Sequence, residues 1–99
     1  MSQSAGGPFR YALCQTADQT IFNKAAWVSS YTVQNKTAAA VDISFYDDAV
    51  GGSSNPAELF TIGANQSQAI YPNFQTLNGL GIKASLWTNL TVSVKWTPR

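Results

Sequence analysis

The sequence predicts an all-β fold, an antiparallel β-sandwich of the jelly-roll or immunoglobulin-like kind. Three observations carry this. Apolar and polar residues alternate at period two through most of the chain, and helical periodicity is nearly absent. Val, Ile, Thr, Tyr, Phe and Trp fill the alternating segments, as pleated surfaces prefer. Gly, Pro, Asn and Ser punctuate them. Strands that alternate so cleanly have one wet face, so two such sheets must cover each other. A small closed barrel is the competing arrangement.

The elements follow in order. Residues 1–8, with Ser2, Ser4, Gly6, Gly7 and Pro8, read as a flexible arm. Residues 9–99 read as one domain, the most that a 99-residue chain can build. Strands are expected at 9–14, 20–23, 27–35, 39–46, 58–62, 68–71, 79–86 and 90–97. Residues 47–57 are a long Gly/Ser/Pro loop, and 63–67 and 72–78 are shorter connections.

Residues on paired positions of two strands share a face, which tests any hairpin register. A two-residue loop between the last two strands would set Lys83 against Val94 and mix the faces. A three-residue loop of Trp87, Thr88 and Asn89 pairs Leu86 with Leu90, Ala84 with Val92, Ile82 with Val94 and Leu80 with Trp96. Every pair is then apolar. Asn89 tolerates the left-handed conformation that ends such loops. This register puts Trp87 at a loop tip. The same test pairs Val33 with Val41, Tyr31 with Ile43 and Ser29 with Phe45, unless the two strands belong to different sheets. Trp27, Tyr31, Phe45, Phe60 and Trp96 are the expected aromatic core.

Absent residues exclude chemistry. There is no histidine, so Ser-His-Asp and Cys-His catalysis are ruled out. Cys14 is the sole cysteine, so no disulfide, CxxC pair or cysteine zinc site can form within the chain, and a buried apolar role is expected. Asp18, Asp42, Asp47, Asp48 and Glu58 are the entire acidic supply, and no pattern sets two of them across a cleft. The chain reads as a non-enzyme without a cofactor. Asp42, Asp47 and Asp48 could start a calcium site, but their simpler reading is a solvated strand end.

Six basic against five acidic side chains give a net +1, and Arg10, Lys24, Lys36, Lys83, Lys95 and Arg99 are scattered. Nucleic acid is therefore not an expected partner. No segment reaches the ~18 continuous apolar residues of a membrane span, and no secretory signal is evident. The triplets at Asn35, Asn65 and Asn89 match a glycosylation pattern, but asparagine here is foremost a turn former.

Four aromatic residues are candidate contact sites. Tyr46, Tyr71 and Trp87 are expected nearest the surface, and Phe9 is the first residue after the arm. Such side chains anchor protein interfaces, and they also stack on sugar rings.

One ordered set of segments goes beyond a generic sandwich. Residues 33–47 (VQNKTAAAVDISFYD) are followed by the Gly/Ser loop, 59–67 (LFTIGANQS), Pro72, 78–86 (NGLGIKASL) and 90–96 (LTVSVKW). This order resembles small β-sandwich virion proteins of tailed bacteriophages, namely head decoration (cement) proteins and related accessory proteins. The resemblance implies a capsid decoration subunit that stabilises the head by protein contacts. It implies a homo-oligomer, a trimer foremost, and the major capsid protein or another virion subunit as partner. It implies assembly in the host cytoplasm and residence in the virion. It transfers no functional residue. Charged residues are only 11% of the chain, which leaves little to keep like molecules apart. A glycan- or receptor-binding module, with Trp87 as its platform, is the alternative expectation.

Overall fold

The computed structural model describes residues 8–49 and 51–99. Nine strands form two antiparallel sheets packed face to face. They are β1 (Arg10–Cys14), β2 (Gln19–Phe22), β3 (Ala26–Asn35), β4 (Val41–Tyr46), β5 (Pro56–Ile62), β6 (Ser67–Ile70), β7 (Phe74–Thr76), β8 (Leu80–Ala84) and β9 (Leu90–Pro98). The first sheet has the order β1-β9-β3-β6, and β7 also pairs with β3. The second has the order β2-β8-β4-β5. The predicted sandwich is therefore observed. The expected arm at residues 1–8 lies outside the described residues apart from Pro8, whose carbonyl accepts a bond from the Thr97 hydroxyl.

Alternation builds the core. Val33, Val41, Ile43, Phe45, Leu80, Ile82, Leu90, Val92, Val94 and Trp96 are all buried, and they form one cluster between the sheets. Tyr31 crosses this layer. Its ring lies 4.7 Å from that of Phe45, and its hydroxyl donates to Glu58 Oε2 at 3.0 Å. Burial, and then the neighbouring carboxylate, hold the Tyr31 phenol well above its usual range.

Both expected hairpins are corrected. β8 pairs with β2 and β4 in the second sheet, whereas β9 pairs with β1 and β3 in the first. β3 and β4 likewise lie in different sheets. Among the described residues, β4 and β5 are the strands that pair in one sheet as sequence neighbours joined by a loop. The apolar sets do face each other, but across the core rather than along a ladder. Leu86 is not paired with Leu90; it lies in the β8–β9 crossover and is exposed.

A bulge overturns a second expectation. Val28 pairs with Trp96 and Ser30 with Lys95, so Ser29 is an extra residue in β3. The alternation changes phase there. Ala26 and Val28 point inward before it; Tyr31, Val33 and Asn35 point inward after it. Trp27 therefore leaves the core and lies on the outer face. β7 was expected as part of a connection. It is a short strand that continues β6 along the same edge of β3, and Tyr71, Pro72 and Asn73 interrupt the edge beside the bulge. Pro72 has no N–H to offer a ladder, so an interruption suits it.

The asparagines are structural. Asn65, Asn73 and Asn89 adopt φ of 55°, 54° and 54°. Asn35 is 1% exposed. Its Nδ2 donates to the carbonyls of Ala39 (2.9 Å) and Gly63 (3.0 Å), and its Oδ1 accepts from the Thr37 amide (3.0 Å). It thus ties the end of β3 to two connections that run to and from the other sheet.

Candidate functional site

The four candidate residues divide between the outer faces of the two sheets and one edge. Phe9 belongs to the first sheet. Arg10, Ala12 and Cys14 pair with Trp96, Val94 and Val92, whose side chains face the core. Phe9, Tyr11 and Leu13 must then face outward. They are 37%, 70% and 60% exposed. Phe9 packs edge-on against Trp27 with centroids 5.9 Å apart, and the Lys95 ammonium lies 4.9 Å from the centre of the Phe9 ring. The Trp27 indole N–H donates to Asn73 Oδ1. Further along, the outer positions of β9 and β3 are Ser93 beside Thr32 and Thr91 beside Gln34. The result is an aromatic and aliphatic strip along β1 that adjoins a flat hydroxyl-rich surface. Tyr71, 77% exposed, stands apart at the break between β6 and β7.

Tyr46 and Trp87 belong to the second sheet. One row across it runs Thr20, Gly81, Tyr46, Pro56. Gly81 has no side chain, so the row has a gap between Thr20 and Tyr46. That gap is the floor of an open cleft of about 240 Å³, walled by Asp18, Thr20, Tyr46, Lys83 and the Gly51–Gly52 loop. The Lys83 ammonium lies 5.9 Å from the Tyr46 ring centre. Asp18 Oδ1 accepts from the Ala84 amide (3.1 Å) and from the Trp87 indole N–H (2.7 Å). The expected loop-tip role of Trp87 is corrected accordingly. Its turn is present, with the Leu90 amide donating to the Trp87 carbonyl, but the side chain folds back, half-buried against the core. A ring so engaged supports Asp18 and is not a free stacking platform.

The acidic cluster serves the loop between β4 and β5. Asp47 Oδ1 accepts from the amides of Leu77 (3.0 Å) and Asn78 (2.7 Å). Asp48 accepts from the backbone and side-chain nitrogens of Asn55, and these bonds, the backbone one foremost, lower its carboxyl pKa. Asp42 sits apart on β4 and accepts from the Thr61 hydroxyl. Among the described residues no three His, Cys, Asp or Glu side chains gather into a metal-binding group. Cys14 is buried, and its thiol is pushed up to about 11 by desolvation, so it is no nucleophile at neutral pH.

Sequence reading missed two features. One is Trp27 on the outer face, which a bulge without glycine or proline concealed. The other is the cleft, for which Gly81 inside an alternating strand was the available signal. No helix among the described residues is long and apolar enough to cross a membrane. No family model, curated protein or solved structure matches the chain.

Proposed function

We propose that this chain is a non-enzymatic structural subunit of a phage particle, a capsid decoration protein that works by burying surface between copies of itself and the major capsid protein. The observation that carries the reading is the outward row of Phe9, just before β1, and Tyr11 and Leu13 on it, with Trp27 packed beside Phe9. Three large apolar side chains follow one another on a single exposed face at the sheet edge. Aromatic anchors such as Tyr11 and Trp27 are over-represented among the residues that dominate the energetics of protein interfaces. Among the described residues β1 is an edge strand, with no further strand paired to its outer backbone groups. The molecule measures 43 × 29 × 18 Å, and its broad face can supply the ~800 Å² per partner of a standard interface. The low charge of the chain supports association as well.

Light scattering coupled to size exclusion tests this on the full chain. A discrete trimer is expected, which the double variant Tyr11→Ser, Leu13→Ser converts to a monomer with an unchanged far-ultraviolet circular dichroism spectrum; its urea midpoint falls only by the association free energy that the trimer contributed. A wild-type monomer at the highest attainable concentration, or a trimer that survives the double variant, would refute association through this strip.

A further inference from the structure

From the cleft on the second sheet we infer a binding site for a neutral pyranose ring, independent of the contact strip on the first sheet. The site begins with an omission. On the outer face Thr20 and Tyr46 flank Gly81 in one row, and a side chain at that central position would occupy the space between them. The backbone of β8 at Gly81, itself buried at the bottom of the cleft, forms the floor there, and Tyr46 lines one side. An aromatic wall offers its face to the C–H groups of a sugar, and it is rigid enough to order little on binding.

The polar groups of the rim fit hydroxyls. Asp18 Oδ1 is held by two donors, the Ala84 amide and the Trp87 indole. These bonds fix the carboxylate and leave Oδ2 without a bonded partner. Thr20 Oγ1 accepts from the Gly51 amide at 3.1 Å and keeps its own proton to donate. The Gln19 backbone carbonyl borders the floor beside Gly81, while its side chain, paired with core-facing Ile82, lies on the other face. Lys83 supplies a cationic donor beside Tyr46. Asp18 and Lys83 form no ion pair with each other, so both remain able to engage a ligand. Vicinal hydroxyls each donate and accept, and this rim supplies both an acceptor, Asp18, and donors, Thr20 and Lys83. One negative and one positive side chain cancel, which disfavours a strongly charged ligand of either sign.

Size selects a single ring. The cleft, at about 240 Å³, lies just below the ~300–1,000 Å³ of pockets for drug-sized ligands. The Gly51 amide on Thr20 ties the loop wall to β2, and the Gly52 amide on the Ala49 carbonyl (2.9 Å) closes a turn within the loop, so the site exists before binding. The glycan expectation thus moves from Trp87, which supports the carboxylate from behind, to Tyr46 and the Gly81 floor.

The test is an amide chemical-shift titration of the full chain with neutral methyl glucosides, galactosides and mannosides, and with glucuronate and glucosamine as charged probes. The expected result is saturable shifts at Thr20, Tyr46, Gly51 and Gly81 with a neutral hexoside, at a Kd on the order of 1 mM for a ligand this small. Gly81→Ala should weaken binding at least about tenfold. A Cβ there meets only the Gln19 carbonyl, at 3.7 Å, so this variant keeps its fold, which its unchanged spectrum elsewhere will report. Tyr46→Ala should weaken binding as strongly, whereas Tyr11→Ser should leave it unchanged. Absence of saturable shifts with every neutral sugar overturns the proposal. So does binding that Gly81→Ala does not weaken, or tighter binding of a charged probe than of any neutral one.

Discussion

The outer faces of the two sheets are built oppositely from the same alternating pattern. The first is formed by strands alone. Its outward side chains follow from register, and among the described residues no loop covers Phe9, Tyr11, Leu13 and Trp27. The second is formed by strands plus a loop. A missing side chain at Gly81 opens it, and Gly51 and Gly52 make a wall. A projecting face suits a broad partner, and a recessed one suits a small ligand. The difference teaches that a concave site on a sheet needs two things alternation does not provide: a gap in the row and a segment to enclose it.

The loop is the weak point of the second face, and Gly79 is where it is tightest. A Cβ on Gly79 would lie 2.0 Å from the Asp48 carbonyl oxygen. Gly79→Ala therefore has to push the loop away, at a cost of about 3 kcal/mol, read as a lowered urea midpoint. A midpoint within experimental error of wild type would mean that the loop does not dock on the β7–β8 turn as described.

The first face should tolerate more. Trp27→Ala removes an edge-on ring contact and one hydrogen bond outside the core, so it should cost about 1 kcal/mol, against about 3–5 kcal/mol for truncating a core aromatic such as Phe45. If both variants shift the denaturation midpoint equally, Trp27 is a core residue and the Ser29 bulge is wrongly placed. Smaller still is the effect of Tyr11→Ser with Leu13→Ser on the monomer itself: measured at a concentration where the wild type is dissociated, it should move stability by less than about 0.5 kcal/mol, while it abolishes association at higher concentration. A large loss of stability there would make the strip a structural element of the monomer.

The gentlest probe is acid. Bonds from Asn55 lower the Asp48 carboxyl pKa in the folded chain. Its contribution is then complete above the ordinary aspartate value of ~3.9, and it fades as pH falls through the lowered folded value. Amide exchange at Asn55 and Gly52 should accelerate in that range before exchange in β3 and β9 does. Simultaneous acceleration in all four places would mean that the loop has no separate titration.

The candidate residues were legible in unequal measure. Phe9, Tyr46 and Tyr71 do reach the surface or its edge, because strand ends and turns expose whatever they carry. Trp87 was misjudged because its environment is supplied by Asp18, sixty-nine positions away along the chain. Asp18 and Thr20 join Gly81, Lys83 and Tyr46 only through the pairing of β2, β8 and β4, and no local spacing encodes that assembly.

What the sequence by itself determined was the class, most of the strands and most of the inward set, with β7 and the outward Trp27 the exceptions. Period-two alternation decides which side chains leave water, and burial follows from that wherever the strand goes. What tertiary structure decided was which strands share a sheet. The register test asks whether opposed residues are both apolar. Ladder neighbours about 5 Å apart pass it, and so do residues facing each other across a sandwich ~10 Å thick. Ile82 and Val94 satisfy it equally as partners in a hairpin or as opposite walls of one core. Only the packed molecule, with β8 and β9 in different sheets and a bulge reversing the phase of β3, distinguishes the two.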